Sequence, residues 1–305
     1  MSNSIQSQAF PFRDILRMLR PNQWTKNAVV FAAFFFAFWD RSQNLRFLTG
    51  LAAVLPAALL FCLVSSGIYI FNDIIDAAAD RLHPTKRFRP IAAGRVAVPT
   101  AARLSAVLII GGLSVGWVFN PSFALTAGSY VALQLLYTLF LKRVALIDVL
   151  IIAAGFVLRA VAGAVVLGVQ ISPWLLLCAF LLALFLALCK RRHEKIITNS
   201  GPDVRESLAK YDERLLDQLI AIISSATIVC YSIYTLSPST IEKFKTARLG
   251  LTIPFVMFGI FRYLDLVYRH EKGDRPEKIL LTDIPILVNL ALYVLSAAAI
   301  FAFHS

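Results

Sequence analysis

Asn72, Asp73, Asp76 and Asp80 are oxygen donors of the kind that hold a hard metal ion, and they close a run of more than twenty mostly apolar residues. Five cations follow at once: Arg81, Lys86, Arg87, Arg89 and Arg95. If the helix continues, Asn72, Asp76 and Asp80 recur at i, i+4 and i+8 and make one stripe. Asp73 joins its edge, because Asp80 lies seven residues on. Three carboxylates that close repel one another and lose hydration at a bilayer edge. A divalent cation offsets both, and Mg2+ favours a few carboxylate oxygens together with phosphate oxygens of a substrate. As a merely solvated helix end, the acids would sit at the terminus where the helix dipole disfavours anions. The next stretch, "HPTKRFRPIAAG", has two prolines and leaves the helix as a loop. Its Lys86, Arg87 and Arg89 are donors suited to phosphate oxygens, and His83 reads as a phosphate or loop contact. Acids for a metal followed by bases for phosphate are what a diphosphate-bearing substrate requires.

These residues must be positioned by membrane helices. The 305-residue chain is 58% hydrophobic, with mean hydropathy +0.72 and only 16% charged residues, whereas a soluble chain carries about a quarter. Apolar runs of about 20 residues, enough to cross a bilayer, recur from end to end, and the alternation of a membrane β-barrel is absent. The pattern predicts an all-α polytopic membrane protein with nine spans: 27–39, 47–71, 101–119, 122–141, 146–169, 173–190, 215–236, 249–268 and 284–303. The first is short and borrows Pro21–Lys26 for length. Breaks fall at Asn120–Ser122, Ser172–Pro173 and Ser237–Thr240. With the N-terminus inside, 24 of the 30 Lys and Arg lie on the cytoplasmic side, so the expected topology is N-in, C-out. Every ligand-rich stretch then falls on the cytoplasmic face of the cell membrane. The net charge of +12 is thereby assigned to topology, anionic lipid and phosphate ligands, not nucleic acid. Cys62, Cys178, Cys189 and Cys230 have no paired spacing and read as small core residues.

Further polar residues stand in or near the spans. Arg159 lies eleven residues beyond Asp148, about 16 Å deeper along a helix, and must face an interior cavity or a partner. Asp148 has Lys142 and Arg143 as neighbouring candidates for pairing. Lys26 stands where the first span meets the cytoplasmic face; it suits a lipid phosphate, with Gln23 and Asn27 as helpers, or serves as a snorkelling anchor. Tyr69, Gln134 and Tyr137 lie near the same face, as pocket lining or as interhelical hydrogen bonders.

"NDIIDAAAD" resembles the NDxxDxxxD signature of the UbiA superfamily of intramembrane prenyltransferases, and "RLHPTKRFRPIAAGRV" resembles its KxRPxxxG loop. Nine helices with active-site loops after the second and sixth spans agree, so the resemblance covers nearly the whole chain. It implies one UbiA-type domain over 1–305 around a central cavity, with 1–20 as a cytoplasmic arm. Asn72, Asp73, Asp76 and Asp80 would bind Mg2+, the three aspartates and Arg159 being the catalytic set.

The chain departs from the family at the end of the sixth span. Where members carry a second acidic motif, DxxxD, this one reads "LCKRRHEK". The nearest acidic substitutes, in "KYDERLLD", lack the usual spacing. One acidic cluster with two basic ones suits a ligand bearing an extra phosphate. Together with "LRPNQWTKN" and "HPTKRFRP", this is similar to the branch of polyprenyl-phosphate phosphoribosyltransferases. That resemblance implies phosphoribosyl pyrophosphate as donor, a polyprenyl phosphate such as decaprenyl phosphate as acceptor, and cell-envelope arabinan or a related glycan as destination. Lys86, Arg87 and Arg89 would take pyrophosphate or the sugar 5-phosphate. Lys190, Arg191 and Arg192 would take the other phosphate, at most two of them reaching the cavity because three adjacent residues cannot share a helix face, with Glu194 and Tyr211 beside them, and Lys26 the lipid phosphate. Homo-oligomers are compatible with this reading. A prenyltransferase using an isoprenyl diphosphate would want the missing DxxxD, and a transporter would show matched broken helices in its two halves.

Overall fold

The computed structural model describes residues 12–40, 43, 45–198, 210–269 and 276–303, and among these every regular element is helical. A short helix α1 (Phe12–Leu19) leads into a 3₁₀ stretch, Pro21–Phe31, which runs on as α2 (Ala32–Trp39). Then come α3 (Phe47–Ile75), α4 (Ala77–Leu82), α5 (Val98–Phe119), α6 (Pro121–Leu139), α7 (Ile147–Leu167) and α8 (Pro173–Thr198). The last part holds α9 (Glu213–Leu236), α10 (Pro238–Phe244), α11 (Ile253–Arg269), α12 (Pro276–Thr282) and α13 (Ile284–Phe303). Eight helical segments are long and apolar enough to cross a membrane. They correspond to the second to ninth predicted spans. The first predicted span differs: its region is 3₁₀ over Pro21–Phe31 and α-helical only over the eight residues of α2.

Local chemistry explains the boundaries. Pro121 and Pro238 sit at helix starts, where a missing N–H costs nothing. The residue before each closes the cap: Asn120 Oδ1 accepts from Phe123 N at 2.9 Å, and Ser237 Oγ from Thr240 N at 3.3 Å. The long α3 is interrupted at Asp76, yet hydrogen bonding carries through it, from Asp76 N to Asn72 O and from Asp80 N to Asp76 O. His83, held extended before Pro84, ends α4. The loop that follows turns at Gly94 with φ +70°, a conformation that a side chain resists.

The two largest apolar cores of the bundle share α7. One gathers Val54, Phe61, Val64, Phe123, Tyr130 and Ala162; the other gathers Val149, Ala153, Phe185, Leu188, Leu216 and Tyr263. The 3₁₀ stretch docks closely on α7. A Cβ at Gly163 would run into the carbonyl oxygen of Val30, so only glycine admits this approach. On its other side Trp24 Nε1 donates to Ser66 Oγ at 3.0 Å and Asn27 Nδ2 to Ser65 Oγ at 3.2 Å. Arg95 bonds both oxygens of Asp14, at 3.2 and 3.1 Å, and so ties α1 to the loop after α4.

Candidate active site

The acids at the end of α3 and in α4 are held by cations from three separate segments. Asp73 and Asp80 are buried. Arg89 Nη1, from the loop after α4, donates to Asp73 Oδ1 at 3.0 Å and to Asp80 Oδ2 at 2.5 Å. Arg20, just before the 3₁₀ stretch, donates to the same Asp73 oxygen and lies over the Tyr69 ring at 5.6 Å. Its backbone is left-handed, φ 51°, a cost that a non-glycine residue bears when its surroundings fix it there. Burial lowers the Arg20 pKa, with Asp73 opposing the shift. Asp76 points elsewhere, to Lys142 Nζ at 2.5 Å. The predicted stripe is therefore split: Asp73 and Asp80 share one cation, Asp76 takes another, and Asn72 is half-buried beside them. Among the described residues no three His, Cys, Asp or Glu side chains converge as a metal cluster. The Asp73–Asp80 pair nonetheless offers hard carboxylate oxygens directed at one cation, which fits Mg2+, an ion that keeps waters and phosphate oxygens as its other ligands.

Lys142 belongs to the turn between α6 and α7, and six residues on, the first turn of α7 carries a second cluster. Asp148 does not pair with Lys142 or Arg143, the neighbours that sequence suggested. Leu146, at φ 69°, turns the chain so that Asp148 faces α8. There Asp148 Oδ2 accepts from Arg191 Nε at 2.7 Å, while its Oδ1 accepts from the Tyr211 hydroxyl at 2.7 Å. Tyr211 Oη in turn accepts from Leu146 N at 2.7 Å. Burial first, then the hydrogen bond to Asp148, pushes the Tyr211 phenol above its ordinary pKa, so it remains a donor.

Arg191 also donates to Glu194 Oε2 at 2.5 Å and to the Tyr137 hydroxyl at 3.4 Å. Arg192 takes a different direction, donating to Asp217 at 2.6 Å and stacking 3.9 Å above the Tyr268 ring. Lys190 lies 4.0 Å from Glu194. Successive residues on a helix diverge by about 100°, so adjacent arginines reach different neighbours. Of the phosphate-binding candidates in the loop after α4, Lys86 is half-buried and Arg87 is exposed, its guanidinium 4.9 Å from the Phe88 ring.

Deeper in the bundle, Arg159 is 4% exposed. Its Nε donates to Asn27 Oδ1 at 2.8 Å, Nη1 to Gly155 O at 2.8 Å and Nη2 to the Tyr130 hydroxyl at 3.0 Å. Phe61, Tyr130 and Phe156 rings surround its guanidinium. Among the described residues no carboxylate pairs with it, and Gln134 lies beside Gly155. Lys26, next to Asn27, is half-buried. Arg159→Leu therefore has two opposed effects on folding: it removes a buried charge but strands three neutral partners. We expect turnover to fall at least about tenfold, with a melting temperature within several degrees of the parent. Activity and thermal denaturation of the purified variant check this. A large loss of stability, with the folded fraction fully active, would make Arg159 a packing residue.

Sequence reading missed Arg20 and Lys142 as partners of the acids, and Tyr130 as a partner of Arg159. Each signal lies in chain folding between distant segments, 53 residues apart for Arg20–Asp73 and 66 for Lys142–Asp76. The arrangement collects buried carboxylates, a loop of cations and an apolar bundle at one end of the helices, as a lipid-handling diphosphate site requires.

Comparison with known proteins agrees. Residues 28–201 match the model of the UbiA prenyltransferase family. The chain belongs to the UbiA family. Decaprenyl-phosphate phosphoribosyltransferase of Mycolicibacterium smegmatis is 34% identical over 93% of this chain and 92% of its own length. The protein of that name in Corynebacterium glutamicum is 36% identical over 91% and 83%. A UbiA homologue of Archaeoglobus fulgidus, solved with GPP and Mg2+, superposes with a TM-score of 0.71 at 20% identity, over 95% of this chain and 99% of that one. That likeness concerns the fold.

Proposed function

We propose that this UbiA-family enzyme transfers 5-phosphoribose from phosphoribosyl pyrophosphate to a polyprenyl phosphate and releases pyrophosphate. The observation that carries the reading is the end of α8. It holds Lys190, Arg191 and Arg192 where an isoprenyl-diphosphate site needs a second acidic motif, in a chain similar over nearly its full length to decaprenyl-phosphate phosphoribosyltransferases.

Asp73 and Asp80 would hold Mg2+, with Asp76 and Asn72 at the edge of the site. When bound, the ion neutralises charge that develops on the departing pyrophosphate. Lys86, Arg87 and Arg89 donate to pyrophosphate or 5-phosphate oxygens. As the C1–oxygen bond of ribose breaks, a lipid phosphate oxygen attacks the opposite face. That nucleophile is already an anion near neutral pH, so positioning outweighs general-base catalysis. Lys26 holds the acceptor phosphate, Arg159, with Gln134 nearby, lends charge to the interior, and Tyr69 lines the site beneath Arg20. Lys190, whose side chain is the most exposed of the three, stands closest to the role of an added phosphate site, while Arg192 is directed to Asp217 and Tyr268. Arg191, whose Nε, Nη1 and Nη2 all meet protein partners, fixes Glu194, Tyr137 and, through Asp148, Tyr211.

The same reading takes residues 21–39 as a ninth crossing. Eleven residues of 3₁₀ helix rise about 2 Å each and eight of α-helix about 1.5 Å each, roughly 34 Å in all. The excess of Lys and Arg at the acidic end supports a cytoplasmic site and an inside N-terminus, with the single domain spanning the whole chain.

The test incubates membranes containing the protein with radiolabelled phosphoribosyl pyrophosphate, polyprenyl phosphate and Mg2+. Labelled lipid is expected only when all three are present. Absence of labelled lipid at full expression would overturn the reading.

A further inference from the structure

The carboxylates proposed to bind the metal already have cations, and the geometry of those cations has a functional consequence. Arg89 bridges Asp73 and Asp80, Arg20 adds to Asp73, and Lys142 takes Asp76. Three acids thus face three bases, and the cluster is neutral by formal charge. The cations over the buried pair are its more exposed members. Arg20 and Arg89 side chains are 23% and 27% exposed, against 4% and 6% for Asp73 and Asp80. They lie between the acids and solvent. Each comes from a different segment: the residue before the 3₁₀ stretch, the loop after α4, and the turn after α6.

We propose that Arg20, Arg89 and Lys142 are resident counter-cations of this site, and that the metal enters only by exchange, as the cations pass from carboxylate to diphosphate oxygens. The inference rests on the diphosphate-transfer reading above and deepens it by stating how that site fills. A divalent ion entering alone would add two positive charges to a neutral, partly buried cluster and would leave displaced cations without partners. A diphosphate entering alone would add negative charge beside acids whose cations are already engaged. Together they nearly cancel: the metal takes the carboxylates, and the freed Arg20, Arg89 and Lys142 take the phosphate oxygens in charge-assisted hydrogen bonds. No bond is made or broken in this step; only ion pairs change hands. Metal and diphosphate therefore bind with strong mutual coupling, and the coupling is reciprocal. Arg20 is set apart from the other two by its left-handed backbone, which ties its side-chain position to the start of the 3₁₀ stretch and to Tyr69. Exchange at Arg20 consequently bears on the segment that carries Lys26 and Asn27, on the acceptor side.

The test measures binding, not turnover. Mn2+ serves as a spectroscopic stand-in for Mg2+, and its free concentration is read by electron paramagnetic resonance with the purified full chain in nanodiscs. Inorganic pyrophosphate is the second ligand, and its complex with Mn2+ in protein-free solution is subtracted. For the unaltered protein we expect weak binding of Mn2+ alone and at least about tenfold tighter binding with pyrophosphate. Arg89→Gln removes the bridging cation. Mn2+ alone should then bind at least about tenfold tighter than to the parent, while the gain from pyrophosphate shrinks. Lys142→Gln, which leaves the Asp73–Asp80 pair intact, should give a smaller change in the same direction. The exchange is overturned if Mn2+ alone binds the parent as tightly as with pyrophosphate, or if Arg89→Gln leaves Mn2+ affinity unchanged or weaker. A variant that fails to fold is recognised by its elution profile and replaced by Arg89→Lys, which keeps the charge and should restore parental coupling. Because pyrophosphate is common to every diphosphate donor, coupling without ribosyl transfer would sink the donor assignment alone. Ribosyl transfer without coupling would sink the exchange alone.

Discussion

Asp73→Ala is expected to abolish phosphoribosyl transfer, by a factor on the order of a thousand or more, while the protein still folds in detergent. The size follows from what the carboxylate is asked to do: an ion that stabilises a leaving pyrophosphate contributes several kcal/mol to the barrier, and each 1.36 kcal/mol is about tenfold in rate. Folding survives because the cations released, Arg20 and Arg89, are the partly exposed members of the cluster and reach water when Asp73 is gone. Steady-state transfer assays at saturating Mg2+, beside a thermal melt, check both halves. Near-normal turnover would remove Asp73 from the metal site, and unfolding would make it a structural acid.

The largest effect on stability is expected at the opposite cluster. Arg191 and Asp148 have side chains 4% and 0% exposed, so Arg191→Leu leaves a buried carboxylate whose remaining side-chain donor among the described residues is the Tyr211 hydroxyl. Breaking a buried pair from one side costs about 3–5 kcal/mol. Removing both charges, in Arg191→Leu with Asp148→Leu, should recover most of that, since the double change leaves no fully buried ion and Glu194, also released, is partly exposed with Lys190 4.0 Å away. Denaturation of the parent, the two single variants and the double variant gives the coupling. If Arg191→Leu instead melts like the parent and raises the KM for phosphoribosyl pyrophosphate, Arg191 binds donor and the pairing with Asp148 contributes little.

What the sequence revealed and what it hid have separate physical origins. The bilayer-length apolar runs and their punctuation are local, so eight spans were legible, and the breaks read at Asn120 and Ser237 are where the structure places helix caps. The first span was legible as apolar but not as 3₁₀, because that geometry depends on the close seat against Gly163. The acidic run and the basic loop were likewise evident from residue type. Their pairing was not. Helical spacing put Asp76 with Asp80, whereas a break at Asp76 turns it toward Lys142, on a turn 66 residues away. For "KRR", helix geometry indicated that the three cations diverge, but not which groups receive them. The fold sends Arg191 to α7 and Arg192 to α9 and α11, because neighbouring residues on a helix face different elements. Long-range ion pairs are choices of tertiary structure, and Arg20 in its left-handed backbone is the clearest of them.

The central claim is the identity of the transferred group, and a donor competition tests it most directly. The purified protein receives polyprenyl phosphate, Mg2+, phosphoribosyl pyrophosphate and an isoprenyl diphosphate in one mixture, and the lipid products are identified by mass. The account predicts a polyprenyl phosphate extended by one phosphoribosyl unit, formed with one equivalent of pyrophosphate and lost when Mg2+ is chelated. A prenylated product, with phosphoribosyl pyrophosphate left intact, would contradict it.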